Sequence, residues 1–144
     1  MGLIEELLNK DDIKAYTVFK ETVDKCNQSN EYYRYFDEFL SFLDNKSAFV
    51  RIRGFILCFK ETKWDTDGKL DSALDKLLMI FKDDKPSVVR QSINGLIDMP
   101  DVLSKYHVKI SQALDLIELD KYKDTVKPLI IKDKERLLKE LNKY

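Results

Sequence analysis

Glycine and proline are scarce in this sequence, with four Gly and three Pro among 144 residues. Leucine, lysine and acidic residues are frequent instead, and such a composition favours helices joined by short turns over β-sheet. A chain of this length fits one domain and can bury a hydrophobic core without a disulfide or a bound metal. The composition therefore predicts a single all-α domain spanning residues 1–144.

Neither sign of charge is in excess, because 25 Lys and Arg residues stand against 26 Asp and Glu residues for a net charge of −1. This balance provides no overall field toward phosphate or anionic lipid. Neither nucleic acid nor a membrane is therefore the expected partner.

The sequence also lacks a run of about eighteen apolar residues, and its start, MGLIEELLNK, has no basic segment followed by a long apolar core. Glu6 occupies the position where a myristoylation signal has Ser or Thr. Secretion, membrane spanning and N-terminal acylation are therefore not expected, and a cytoplasmic location is.

Residues that could carry chemistry are few. Cys26 and Cys58 are not part of a CxxC motif, and Cys58 lies between apolar neighbours, which favours reduced thiols that serve packing. His107 is the only histidine, whereas a metal site needs three or four converging ligands and a catalytic triad needs a nucleophile beside its base. We expect no catalytic residue, no metal and no cofactor, and hence a protein that is not an enzyme.

The acidic stretch DTDGKLD, residues 65–71, invites comparison with a calcium-binding loop. If Asp65 is the first position, Leu70 falls where such a loop has its Gly, and Lys76 falls where it has its bidentate Glu. The spacing therefore predicts an ordinary turn between helices, in which Gly68 adopts a left-handed conformation.

An aliphatic residue followed by a cation recurs four times, at spacings of 37, 39 and 37 residues. The four pairs are Ile13-Lys14, Val50-Arg51, Val89-Arg90 and Val126-Lys127. A polar, turn-prone cluster precedes each pair and a helix-period apolar pattern follows it, as at the start of a helix. A period of this length made of two helices is typical of an α-solenoid, in which each hairpin buries its apolar face against its neighbours. The pattern predicts an α-solenoid of about four helical hairpins.

The apolar spacing also sets the helix boundaries. The predicted helices are 3–9, 12–27, 30–43, 47–62, 70–82, 86–99, 104–118 and 122–142. Pro86 favours a helix start and Pro100 a stop. Gly54 lies inside 47–62, where glycine costs about 1 kcal/mol relative to alanine, so we expect a neighbouring helix to approach closely there.

The Val-Arg pattern resembles the HEAT repeat, whose second helix opens with Val-Arg or Val-Lys a few residues after an Asp in the turn. Six residues before the cation stand Asn45 for Arg51 and Asp84 for Arg90, whereas the first and last units depart from this pattern, as capping repeats do. The resemblance implies that Asn45, Arg51, Asp84 and Arg90 form a structural ladder between neighbouring repeats.

A second resemblance covers longer stretches, among them YFDEFLSFL, FVRIRGF, KPSVVRQSI and YKDTVKPLIIKD. These are similar to a family of short bacterial HEAT-like proteins labelled SufBD. That label implies an accessory role near iron–sulfur assembly.

Four residues are candidates for binding another protein. Aromatic residues crowd positions 32–36, and one helix cannot point all of them at its core. Tyr33 and Arg34 are therefore favoured, since Tyr and Arg are common interface anchors. Arg53 lies about 200° around the helix from Arg51 and must reach a surface or pair with a carboxylate. Trp64 either faces a partner or covers the end of a hairpin.

We expect the protein to be an adaptor or scaffold that binds a protein or peptide of unspecified identity on a rigid helical surface. The helices expected to line its concave side carry both signs of charge, which favours a polar, charge-complementary interface. The alternative is a nucleic-acid-binding or DNA-repair-like HEAT module, with Arg51, Arg53 and Arg90 as anion contacts.

Overall fold

A computed structural model describes residues 2–144, and it contains eight α-helices and no β-strand over that range. The helices are α1 Leu3–Leu7, α2 Asp12–Gln28, α3 Phe36–Ser41, α4 Ala48–Lys60, α5 Lys69–Leu78, α6 Pro86–Ile97, α7 Pro100–Ala113 and α8 Lys127–Leu141. Short 3-10 turns adjoin several of them, at Tyr33–Tyr35, Phe42–Asp44, Thr62–Trp64, Met79–Lys82, Leu114–Leu116 and Leu119–Lys121. The all-α prediction is confirmed. None of the helices in the described range is long and apolar enough to cross a bilayer.

The helices form two compact units. The first unit ends at Asp71 and the second runs from Ser72 to Tyr144, so the boundary falls inside α5. The single domain over residues 1–144 stays a prediction.

In the first unit, α4 is the central helix and packs against both α2 and α3, while α1 packs against α2. Its apolar residues cover almost its whole circumference, and Phe55, Leu57 and Phe59 are fully buried. A helix with this pattern is stable only when it is covered on several sides.

Gly54 lets α4 and α3 approach closely. A Cβ atom at this position would lie 2.5 Å from Phe42 Cβ and 2.6 Å from the carbonyl oxygen of Phe39. No side chain fits there without a shift of the neighbouring backbone. The predicted close approach at Gly54 is confirmed.

The four aliphatic-cation pairs all lie at the starts of alternate helices. The pairs that begin with Ile13, Val50 and Val89 fall within the first five residues of α2, α4 and α6, and Val126 immediately precedes α8. Local chemistry explains two of these starts, because Asp11 accepts hydrogen bonds at the N-terminus of α2 and Ser47 does so for α4. The sequence repeat therefore marks helix starts, as predicted.

In the second unit, α6 packs against α8 and α7, and the turn Met79–Lys82 packs against α6. The core is mainly aliphatic, with Phe81, Val88, Ile93 and Leu137 fully buried. Apolar residues at helical spacing on both α6 and α8 explain why these two helices pair.

Several predicted boundaries are wrong, and proline explains two of the errors. Pro100 was expected only to stop a helix, but it also begins α7, four residues before the predicted start at 104. Proline suits a first helical turn because its missing N–H would be unpaired there. For the same reason Pro128 lies in the first turn of α8, which begins at Lys127 rather than at 122. The third helix is α-helical only from Phe36 to Ser41, with 3-10 turns at either end.

Candidate protein-binding cleft

An open cleft of about 600 Å³ lies on the first unit, between the segment after α2 and the start of α5. Its walls are formed by Asn30, Glu31, Tyr33, Arg34, Asp67 and Lys69. The volume falls within the range of small-molecule and side-chain pockets, about 300–1,000 Å³. Two predicted binding residues, Tyr33 and Arg34, therefore share one cavity.

Tyr33 is fixed in the wall of the cleft by its hydroxyl group. The hydroxyl donates a hydrogen bond to Asp65 Oδ1 at 2.5 Å and accepts one from the backbone N–H of Asp67 at 3.3 Å. Partial burial, followed by the bond to Asp65, raises the pKa of Tyr33 to about 12. The phenol is therefore neutral at physiological pH, and its ring, 6.3 Å from that of Phe36, has a defined position.

The carboxylate of Asp65 fixes the loop that carries two other cleft residues, Asp67 and Lys69. Its two oxygens accept hydrogen bonds from the backbone N–H groups of Lys69 at 2.9 Å and Leu70 at 3.0 Å, where α5 begins. Gly68 has a φ of +69°, so the predicted left-handed turn is confirmed. Because Asp65 also holds the Tyr33 hydroxyl, the loop and the aromatic wall are tied together.

Arg34 and Lys69 are the two cations that line the cleft, and they differ in their pairing. The side chain of Arg34 is exposed, and its guanidinium carbon lies 4.9 Å from the centroid of the Tyr35 ring. Within residues 2–144, the guanidinium of Arg34 makes no ion pair and no hydrogen bond. By contrast, Lys69 Nζ lies 3.3 Å from Asp37 Oδ2.

Arg53 is held inside the first unit. It pairs in a bidentate manner with Asp12 at 2.8 and 3.2 Å, and its side chain is only 7% exposed. Its guanidinium carbon lies 5.4 to 5.8 Å from the ring centroids of Tyr16, Phe19 and Phe49. Of the two outcomes expected for Arg53, the structure has the carboxylate pair.

The residues of the proposed ladder make the following contacts. Arg51 Nη1 donates to the carbonyl oxygens of Asn45 and Lys46, both at 3.0 Å, and Asn45 Oδ1 accepts a hydrogen bond from the N–H of Ser47 at 2.9 Å. In the second unit, Arg90 Nε donates to Asp133 Oδ2 of α8 at 2.7 Å. Asp84 lies 3.5 Å from Lys121 Nζ, which comes from a segment 37 residues later.

Trp64 lies outside the cleft and is half-buried. Its indole N–H donates to the carbonyl oxygen of Cys26 at 2.6 Å, and Lys63 Nζ donates to the neighbouring carbonyl of Asn27 at 2.5 Å. These bonds satisfy carbonyl groups of the last turn of α2, which have no partner inside the helix. Trp64 therefore caps the C-terminal end of α2, and its role in binding another protein stays a prediction.

The second unit uses the same device, which the sequence analysis missed. Lys121 Nζ donates to the carbonyl of Lys82 at 2.5 Å, and the Tyr122 hydroxyl donates to that of Asp83. In both units a lysine followed by an aromatic residue caps the end of an earlier helical segment. The recurrence of Lys-Trp and Lys-Tyr in polar stretches was the available signal.

A buried carboxyl group lies beside the two cysteines of the first unit. Glu61 is fully buried, and its Oε1 accepts a hydrogen bond from Cys26 Sγ at 3.0 Å. Its Oε2 has no hydrogen-bond partner among the residues that the structure describes. Burial raises the pKa of Glu61 and those of Cys26 and Cys58. Both cysteines are free and buried, which confirms their packing role.

Within residues 2–144, no group of three or more His, Cys, Asp or Glu residues is arranged to hold a metal ion. His107 is half-buried, and its Nδ1 lies 3.1 Å from the carbonyl oxygen of Ser104. No family profile, curated protein or solved structure matches the chain.

Proposed function

We propose that this protein is a non-enzymatic adaptor that binds another protein through the cleft around Tyr33 and Arg34. The observation that carries the proposal concerns Arg34 in the wall of the cleft: it is exposed, lies over the Tyr35 ring and has no anionic partner among residues 2–144. Tyr and Arg are enriched among residues that dominate binding energy, and cavities with fixed walls reduce the entropy lost on association.

The proposed scaffold is a HEAT-like α-solenoid in which helical hairpins stack through their second helices. The repeat of aliphatic-cation pairs at the starts of α2, α4, α6 and α8 supports this arrangement. So does the packing of α2 against α4 in the first unit and of α6 against α8 in the second. Such stacking would hold the cleft in a rigid frame, so that a partner binds without ordering it.

We further propose a cytoplasmic location. Cys26 and Cys58 are both buried as free thiols, a state that fits the reducing conditions of the cytosol.

Nucleic-acid binding has less support than protein binding. Arg51, Arg53 and Arg90, the expected anion contacts, each donate to groups of the protein itself. An accessory role near iron–sulfur assembly stays a prediction that no described contact favours.

Affinity capture with matched variants tests the adaptor proposal. The immobilised full chain, its Tyr33→Ala/Arg34→Ala variant and a Lys14→Ala control would be exposed to the same cell extract, after equal helicity has been checked by circular dichroism. Lys14 is exposed and lies on α2, away from the residues that line the cleft. We expect proteins that are captured by the wild type and the control but lost from the double variant. If every captured protein is retained by the double variant, the cleft is not the binding site.

A further inference from the structure

The charges that line the cleft are incompletely paired. Glu31 lies 3.7 Å from Lys25, and Lys69 lies 3.3 Å from Asp37. Asp67 is exposed, and within residues 2–144 its carboxylate accepts only a long hydrogen bond, 3.5 Å, from the hydroxyl of Thr66. Of the two basic residues in the wall, Lys69 thus has a carboxylate partner, whereas Arg34 has none among the described residues.

A guanidinium group in this state favours an anionic ligand with two oxygen atoms. Its planar array of N–H donors matches a carboxylate, and bidentate pairs of this kind are stronger and more directional than neutral hydrogen bonds. The Tyr35 ring beside the guanidinium of Arg34 restricts the side chain, so less freedom is lost when a ligand binds.

The balance of charge favours a single carboxylate over a phosphate. The lining residues include two cations, Arg34 and Lys69, and two carboxylates, Glu31 and Asp67. A phosphate dianion or a run of acidic residues would meet repulsion from both carboxylates, and phosphate sites gather several Arg or Lys residues. A monoanion that pairs with Arg34 alone avoids most of this repulsion.

The size of the cleft indicates what carries that carboxylate. A cavity of about 600 Å³ is much larger than one carboxylate, and the fixed phenol of Tyr33 provides an aromatic wall beside Arg34. A peptide side chain together with its flanking backbone would occupy such a space, whereas a small free acid would leave most of it hydrated.

We propose that the cleft binds an extended segment of the partner protein through one Asp or Glu side chain, which forms a bidentate pair with Arg34. The inference rests on the proposed adaptor function and adds the chemical class of the ligand.

The test uses a displayed random-peptide library selected on the full chain, followed by fluorescence-polarisation titrations of one selected peptide. The variants are Arg34→Ala, Arg34→Lys, Tyr33→Ala and the charge-matched control Lys14→Ala. We expect selected peptides to share an isolated acidic residue. Arg34→Ala should weaken binding about tenfold or more, Arg34→Lys should have an intermediate effect because it cannot form the bidentate pair, and Lys14→Ala should have almost none.

Changes in the peptide complete the test. Replacing its acidic residue by Asn or Gln should weaken binding to the wild type about as much as Arg34→Ala does, and should weaken binding to Arg34→Ala little further. A peptide with phosphoserine at that position should bind no more tightly than the Asp or Glu peptide.

Three results would overturn the inference. They are selected peptides without a shared acidic residue, an affinity that Arg34→Ala leaves unchanged, and markedly tighter binding of the phosphoserine peptide. If binding still depends on Tyr33 in any of these cases, the adaptor proposal survives and only the ligand class is wrong. If no peptide is enriched over a bare support, the inference for an extended segment fails, while captured folded partners would still support the adaptor.

Discussion

The thiol of Cys26 donates a hydrogen bond to Oε1 of Glu61 across 3.0 Å, which links α2 to the end of α4 inside the first unit. The other carboxyl oxygen, Oε2, is buried and has no hydrogen-bond partner in the described range, residues 2–144. Because an ionised carboxylate is costly to bury without a counter-charge, this environment favours the neutral acid. Burial accordingly raises the pKa of Glu61, and the Cys26 hydrogen bond offsets only part of that effect.

The first prediction concerns pH. The pKa of Glu61 is higher in the folded chain than its ordinary value of 4.5, so the folded state holds a proton that the unfolded state loses. The stabilisation from this proton is complete below pH 4.5 and is lost as pH rises through the folded-state pKa. Glu61→Gln, which cannot ionise, should therefore unfold with a flatter pH dependence and be more stable than the wild type toward neutral pH.

Urea unfolding at several values between about pH 5 and about pH 8 measures this difference, which has a maximum slope of about 1.4 kcal/mol per pH unit. The window ends below the ordinary pKa of Cys26 and Cys58, 9.0, at which thiols of the unfolded chain ionise. Glu38→Gln, at an exposed position on α3, is the control. Parallel pH profiles for the wild type and Glu61→Gln would contradict the prediction.

The second prediction concerns the ion pair between Arg53 and Asp12. Arg53 is 7% exposed whereas Asp12 is 46% exposed. Asp12→Asn would leave a guanidinium that can neither reach water nor lose its charge, and it should lower the free energy of unfolding by about 1–3 kcal/mol. Arg53→Met keeps the packing against the surrounding rings and leaves a carboxylate that can be hydrated, so it should cost about 1 kcal/mol or less.

Denaturant unfolding of the two single variants and of the double variant would give both costs and their coupling. The informative result is which of the two single variants loses more stability. An Arg53→Met variant less stable than Asp12→Asn would mean that the contacts of the guanidinium with Tyr16, Phe19 and Phe49 outweigh its pairing.

The third prediction follows from Gly54. Alanine would gain about 1 kcal/mol of helix propensity, but its Cβ would lie 2.5 Å from Phe42 Cβ and 2.6 Å from a backbone oxygen of α3. Relief of this overlap requires α3 and α4 to move apart, so Gly54→Ala should destabilise the protein by about 1–3 kcal/mol net. Gly2→Ala is the matched control, since a Cβ there meets nothing within 4 Å. Equal melting temperatures for the two variants would show that the helices separate freely.

The parts of the fold that could be predicted are those set by local chemistry. The aliphatic-cation pairs revealed the helix starts because turn-prone residues and an apolar period flank each of them within a few positions. Pro100 was interpreted only as a stop, although a proline soon after one helix can also begin the next: α6 ends at Ile97 and α7 begins at Pro100 itself. The roles of Gly54 and Gly68 could be predicted because a glycine inside a helix indicates close approach of a neighbour, and a glycine in a turn indicates a left-handed conformation.

The cleft could be predicted only in part. Tyr33 and Arg34 were identified because four aromatic residues crowd one short segment. Nothing in that segment indicates Asp67 and Lys69, which reach the cleft through the hydrogen bond between Tyr33 and Asp65, 32 residues apart. Contacts of this kind depend on how the hairpin closes, and a single sequence records no pairing between distant positions.

The fourth prediction concerns the ion pair between Arg90 and Asp133. Its burial is the reverse of that of the Arg53–Asp12 pair in the first unit. Here the carboxylate is the buried member, at 5% exposed, and the guanidinium is 38% exposed. Arg90→Met should therefore cost more than Asp133→Asn, about 1–3 kcal/mol against about 1 kcal/mol, because it leaves a buried carboxylate whose other cation, Arg136, lies 3.8 Å away and is largely exposed.

Salt separates this explanation from simple loss of packing. The attraction between Arg136 and Asp133 is present in both the wild type and Arg90→Met, so its screening by salt cancels when the two are compared. The remaining charge-dependent cost comes from Arg90, which is 38% exposed and therefore partly screened. The cost of Arg90→Met should fall as sodium chloride is raised, whereas the exposed-site control Lys132→Met should lose nothing at any concentration. If the cost of Arg90→Met does not change with salt, the stem of Arg90 matters more than its charge.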